Sequence, residues 1–154
     1  VFNLDTEIPM KISAKTEYAC IAMLELASRF GSGEPVRIRK IAERHDVPPR
    51  FLVQILLQLK GAGLVASTRG AAGGYHLVHP PESVSLGDVM AVIEGTGNGQ
   101  RKVTSSASPD SPAVKVLNAA WQKIAETERR LLGEISFTEL LDRAREQDEQ
   151  MYYI

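Results

Sequence analysis

The stretch Val47-Pro-Pro-Arg-Phe-Leu-Val-Gln-Ile-Leu-Leu-Gln-Leu-Lys-Gly-Ala-Gly-Leu-Val65, running on through Arg69-Gly-Ala-Ala-Gly-Gly-Tyr75, decides the fold. Two prolines open it, and a fixed φ suits the first turn of a helix but not its interior. Phe51, Leu52, Ile55, Leu56 and Leu59 then recur at helical spacing, which predicts a helix from about Pro49 with an apolar side. Gly61 and Gly63 end it. Residues 64–67 and 75–78 flank a glycine-rich turn that carries Arg69, and they predict a two-stranded ribbon. A helix leading into a ribbon with a cationic tip is the layout of a winged helix-turn-helix. The rest of the chain is then expected to present or dimerise that unit.

Upstream, residues 37–45 read as a short helix with Ile38, Ile41 and Ala42 facing inward, and Asp46-Val-Pro-Pro49 as a tight turn. Two short helices joined by such a turn form a helix-turn-helix, whose second helix enters the major groove of DNA. Residues 15–30 predict an earlier helix with Ile21, Leu24, Ala27 and Ser28 inward and Tyr18 and Met23 to the sides. Gly31-Ser-Gly-Glu-Pro35 breaks it, and Val36 is expected to pair with the wing. Residues 1–9 show no period and read as a tag or upstream extension, so the winged domain spans 10–95.

Downstream, His79-Pro-Pro-Glu82 is a rigid connector, and Ser85-Leu-Gly-Asp88 starts a helix over 86–93 that Glu94-Gly95 ends. Residues 96–112 are rich in Gly, Asn, Gln, Thr and Ser and predict a flexible loop. Val114, Leu117, Trp121, Ile124 and Leu131 follow at spacings of 3, 4, 3 and 7, with Glu128 interrupting and Gly133 at the end. Such a narrow seam suits a long helix pairing with its symmetry mate. Ser136-Phe-Thr-Glu139 caps a last helix carrying Leu140 and Leu141, so 113–143 form the dimerisation part. Residues 144–154 read as a polar tail, with Met151-Tyr-Tyr-Ile154 ordered only against a partner surface. The expected fold is mainly α with a small β-wing and a long C-terminal dimerisation helix.

The bulk numbers agree with that plan. At 154 residues, 44% hydrophobic and 24% charged, the chain suits one domain of ordinary size. No apolar run approaches the ~20 residues of a membrane span, and no leader resembles a signal peptide. Cys20 is the sole cysteine, which excludes an internal disulfide and suits a reducing compartment, so the cytoplasm is expected. The net charge of −1 hides an asymmetry: residues 10–80 carry +5, residues 81–154 carry −4, and Asp5 and Glu7 supply the rest. A basic head on an acidic body fits a polyanion-binding module. The rival reading is an effector- or protein-binding module that works through the acidic residues between Glu126 and Glu149.

Catalysis has no support, because no nucleophile–base arrangement, phosphate loop or H-E-x-x-H pattern occurs. His76 and His79 fall on opposite faces of a strand and make no metal site together. His45 suits the dipole at the end of its helix, and Cys20 reads as a buried, inert thiol. The candidate DNA contacts lie on three elements. Arg69, with Gly70 and Gly73, would bring the wing tip to a minor groove or a phosphate. Pro49, Arg50, Phe51, Gln54 and Lys60 lie on the third helix, although the pattern also allows Arg50 and Gln54 to be solvent-facing only. Arg37, Arg39 and Lys40 gather at the start of the second helix, where a bound phosphate would offset their repulsion by the helix dipole.

Five blocks carry a family resemblance: Met10-Lys-Ile-Ser-Ala-Lys-Thr-Glu-Tyr18, the run from Pro35 to Arg44, the run from Phe51 to Val65, the turn from Arg69 to Tyr75, and the run from Leu86 to Gly95. Together they resemble the bacterial winged-helix regulators typified by the iron–sulfur regulator IscR, the nitric-oxide sensor NsrR and the cysteine-metabolism repressor CymR. The resemblance implies a homodimeric transcription regulator, most simply a repressor, that binds a double-stranded DNA operator and answers to a small-molecule or protein effector. Two departures stand out. Cluster-binding members place three cysteines in the loop after the last block, whereas residues 95–112 here hold no Cys or His, so no iron–sulfur cluster is expected. Many members carry Glu where this chain has Val53, and valine can make only apolar contact, for instance with a thymine methyl group.

Overall fold

Ser13 opens the first helix by accepting a hydrogen bond from the Thr16 backbone N–H at 3.1 Å, leaving the helix free to bury apolar residues around most of its circumference. In this computed structural model, which describes residues 10–95 and 106–152, that helix is α1 (Ala14–Ser28). It is followed by α2 (Ile38–His45), α3 (Pro49–Gly61), β1 (Val65–Thr68), β2 (Gly74–Leu77), a 3-10 turn (Pro81–Ser83), α4 (Leu86–Glu94), α5 (Pro112–Glu134) and α6 (Phe137–Tyr152). The fold is therefore mainly helical, with one small antiparallel ribbon. The expected extension at 1–9 and most of the expected loop at 96–112 lie outside the described residues.

The core is built between α1 and α3. Ala19, Ala22, Met23 and Leu26 of α1 are buried, as are Leu52, Ile55, Leu56 and Leu59 of α3. Ile21 and Leu24, expected at the centre, only pack on its margin. Ala27 is buried as expected, and Ala19, Ala22, Met23 and Leu26 take the central places; the small alanines let a second helix come close. Ile41 of α2 and Val89 of α4 close the sides. Ser85 and Asp88 form a reciprocal capping box on α4, as the S-x-x-D pattern predicts.

The C-terminal part returns to this core. The segments before α4 and before α6 pair antiparallel: Leu86 N–H donates to the Ile135 carbonyl at 3.0 Å and Phe137 N–H to the Val84 carbonyl at 3.0 Å. Phe137 is fully buried, so α6 is anchored in the core of the winged domain. Gly87 stands where α4 meets the end of α5, since a Cβ there would lie 3.3 Å from the Gly133 nitrogen. The stretch from 144, read from sequence as a polar tail, continues α6 as helix to Tyr152. No glycine or proline interrupts it, and an Arg143–Glu139 pair at 2.9 Å bridges one turn.

By contrast, α5 buries none of its residues within the chain. Leu117, Trp121, Ile124 and Leu131 remain about half exposed, Val116 is more so, and Val114 is partly covered. Removing the core anchor separates these two parts of the C-terminal region. Phe137→Ala is expected to cost about 3–5 kcal/mol of stability. Chemical denaturation should show this loss, with amide exchange rising first in α6.

Candidate nucleic-acid interface

The turn between α2 and α3 is tight because Asp46 adopts a left-handed conformation, φ 54°. Val47 N–H then closes onto the Ala42 carbonyl at 3.1 Å, and the Val47 side chain is buried beneath the turn. Pro48 caps α3 and Pro49 begins it, so the missing N–H groups fall where a helix would leave them unpaired anyway. The far end of α3 closes with Gly63 N–H on the Lys60 carbonyl and Leu64 N–H on the Leu59 carbonyl, both at 3.0 Å. Gly63 has φ 80°, as that double closure requires. Only three residues, 62–64, separate the helix from the wing.

In the ribbon, Val65 pairs with Leu77, Ala66 with His76, Ser67 with Tyr75 and Thr68 with Gly74. Both strands lie one residue or less from the expected bounds. Val36 pairs with Tyr75 through two backbone hydrogen bonds of 2.8 Å, adding the predicted third edge. Two glycines are structurally required here. A Cβ on Gly74 would sit 2.5 Å from the Val36 oxygen, and one on Gly73 would sit 2.2 Å from the Thr68 oxygen. Gly73 N–H closes the tip onto the Gly70 carbonyl at 3.0 Å, and Gly70 has φ 104°. Arg69 stands exposed at that tip.

The recognition helix presents Pro49, Arg50, Gln54 and Lys60 to solvent. Phe51, which the sequence places both in the apolar pattern and among the candidate DNA contacts, is 37% exposed on the flank of the helix. Its ring lies 5.8 Å from Tyr18 of α1, and the Arg50 guanidinium stacks over it at 5.0 Å. That stacking limits where Arg50 can reach. Lys60 donates to the Ser67 hydroxyl at 2.7 Å, tying helix to wing. At the start of α2, Arg37 is the N-cap residue and makes no capping side-chain bond. Arg37 and Lys40 are exposed, while Arg39 forms an exposed pair with Glu43 at 3.0 Å. Exposed pairs of this kind contribute little, so Arg39 is easily released to another anion.

Sequence reading missed Glu25. It is buried in α1, and one carboxylate oxygen receives His45 at 2.8 Å and Arg44 at 3.2 Å from the end of α2. His45 therefore has a specific partner as well as the helix dipole. A lone carboxylate within the apolar run from Tyr18 to Ala27 was the available signal. The pair of contacts fixes α2 against α1, and so sets the angle at which α3 is offered.

A helix-turn-helix followed directly by a ribbon with a cationic tip is a winged helix-turn-helix, a nucleic-acid-reading class. The chain belongs to the Rrf2 family, described as iron-dependent transcriptional regulators, whose pattern matches residues 12–143. It is 33% identical to the transcriptional regulator CymR of Bacillus subtilis over 94% of this chain and 100% of that protein. It is 35% identical to a putative helix-turn-helix regulator of Mycobacterium tuberculosis over 85% of this chain and 81% of that protein. Among solved structures, B. subtilis CymR, described as a global cysteine regulator, superposes with a TM-score of 0.74 at 30% identity, covering 87% of this chain and 98% of that one. T. potens IscR superposes with a TM-score of 0.72 at 33% identity, covering 90% and 91%. The chain is thus a DNA-binding transcriptional regulator and not an enzyme.

The family description raises iron, and the donor set here does not fit an iron–sulfur cluster. Such clusters are held mainly by thiolates, and this chain has one cysteine. Cys20 is partly buried in α1, and burial, reinforced by the nearby Glu17, raises its thiol from 9.0 to about 11. Among the described residues no group of three His, Cys, Asp or Glu could hold a metal ion. The raised value also sets reactivity. At pH 8 the folded protein carries about 100-fold less thiolate than the unfolded chain, and the stronger nucleophile recovers about tenfold. Iodoacetamide should therefore alkylate Cys20 at least about tenfold more slowly in the native protein than in urea. The gap should narrow as pH rises from 9 to 11, where the unfolded thiol is already ionised and the folded one begins to ionise.

Proposed function

We propose that the protein is a homodimeric repressor that binds a pseudo-palindromic operator and works without an iron–sulfur cluster. The observation that carries the reading is the exposed surface shared by α3 and the wing, where Arg50, Gln54 and Lys60 are joined to Arg69 across the three-residue link. In this reading α3 lies in the major groove and Arg69 enters the flanking minor groove or meets its phosphates. The +5 charge of residues 10–80 supports attraction to a polyanion. The basic start of α2 supplies backbone contacts, with Arg39 leaving Glu43 for a phosphate.

Dimerisation is supported by the uncovered seam of α5, an apolar row on a 23-residue helix with no buried side chain. Trp121 is its central anchor, with Leu117 and Ile124 one turn to either side. Two-fold pairing then sets half-sites about one DNA turn apart, ~34–36 Å, or a multiple of it. A dimer seated over a promoter excludes polymerase by volume, which makes repression the simplest output. The signal is a small-molecule or protein effector, and the site of action is the cytoplasm, where the lone thiol stays reduced.

Three measurements test this. Binding to operator DNA should lose affinity by about 10³–10⁵ between 50 and 200 mM salt if 6–10 phosphates are neutralised; a flat response would favour the acidic-surface module instead. Arg69→Ala should weaken specific binding by roughly 1–3 kcal/mol at fixed salt, and an unchanged affinity would remove the wing from the interface. Sedimentation should show a dimer for the wild type and a monomer for Trp121→Glu, and a dimer in both would place the two-fold contact elsewhere.

A further inference from the structure

The outer face of α3 carries two aliphatic side chains that do nothing for the fold. Val53 is 45% and Leu57 is 55% exposed, and neither belongs to the side chains packed against the core. Four residues apart, they lie one above the other on the helix, Leu57 well away from the buried Leu52, Leu56 and Leu59 and Val53 on the flank beside them. The sequence pattern singles out the inward stripe, the polar side chains and Val53 on this helix, but not Leu57.

The surroundings of this strip decide what it suits. Arg50 is exposed nearly two turns before Leu57, Lys60 lies one turn beyond it and is held toward the wing by Ser67, and Gln54 is exposed between the two aliphatic groups. A strip two side chains wide, set among cations, is a poor seat for an apolar protein partner. It suits a polyanion whose floor bears small apolar groups. In the major groove of DNA, only thymine among the four bases offers a methyl group.

We propose that Val53 and Leu57 read thymine C5-methyl groups, so that each operator half-site carries two thymines beneath the middle of α3. This rests on the DNA-binding reading above and adds the chemical group that confers specificity. The two side chains are separated by about 6 Å along the helix, which corresponds to about two base steps at ~3.4 Å. Gln54 suits the same sites, because a glutamine amide matches the N6 and N7 edge of adenine, the partner of thymine. The same geometry accepts 5-methylcytosine, whose methyl group occupies the thymine position.

The test uses the full chain and duplexes that it enriches from random DNA. Each thymine of a half-site is replaced in turn by deoxyuridine, which deletes only the methyl group. One methyl removed from contact should weaken wild-type binding about three- to fourfold. Two positions should show the effect, one lost selectively in Val53→Ala and the other in Leu57→Ala. Returning the methyl group as 5-methylcytosine in a cytosine-substituted site should recover part of the affinity for the wild type but not for the matching variant. Both residues are exposed, so unchanged thermal melting of the variants should verify their folding. Enrichment with a steep salt slope but no deoxyuridine effect would overturn the methyl reading alone. No enrichment and a flat salt slope would overturn the DNA reading and this inference with it. Conversion of Leu57→Ala to a monomer would assign Leu57 to a contact between copies and overturn its role at the base edge.

Discussion

The packing of α3 on α1 is the contact on which the rest depends. The leucine and isoleucine side of α3 is buried completely, as are Ala19, Ala22, Met23 and Leu26 of α1. With that side fixed, the opposite side of α3 must point outward, and no choice remains over which residues are offered to a partner. Each fully buried aliphatic side chain is worth about 1.5–3 kcal/mol relative to exposure. The four on α3 therefore hold the orientation of the reading helix far more firmly than any exposed contact holds its side chains. The Glu25 contacts to Arg44 and His45 then set α2 on the same support.

Much of this was legible from residue order. The proline pair and the two glycines bounded α3, the glycine-rich turn announced the ribbon, and Ser85 with Asp88 marked the start of α4. These signals are local, since each concerns a backbone conformation or a cap within a few residues. What escaped concerned sidedness and distance. Phe51 lies next to Leu52 in sequence but about 100° away around the helix, and only the position of Tyr18 shows that this flank is outside the core. In α1 nearly every side is apolar, so periodicity alone places Ala27 inward but does not show that Ala19, Ala22 and Met23 sit deeper than Ile21 and Leu24. Phe137 read as part of a capping sequence, and its burial depends on a strand-like pairing with Val84 from more than fifty residues away. The polar end of the chain was judged by its charge, whereas its helix-forming residues decided its conformation.

The same division runs through the candidate site. Residue type pointed to cations and glycines, because charge and positive φ leave plain marks in a sequence. Val53 stands out in the sequence only as a departure from a family pattern, and nothing in the sequence marks Leu57. An exposed aliphatic residue is recognisable only when the core has been located without it. The candidate dimer seam leaves a clearer mark, since the narrow spacing on α5 is unlike that of a globular core face, and α5 buries none of its residues within the chain.

The short link between α3 and β1 has a mechanical consequence. Leu64 is gripped from both sides, its N–H by the Leu59 carbonyl and its carbonyl by the Val78 N–H at 3.1 Å. The helix and ribbon therefore behave as the two jaws of a caliper with a preset gap. With α3 and Arg69 both seated as proposed, a duplex whose grooves do not match that gap would have to twist or bend, at an energy set by the stiffness of its own sequence. Such a head would gauge the width of DNA at base pairs it never touches.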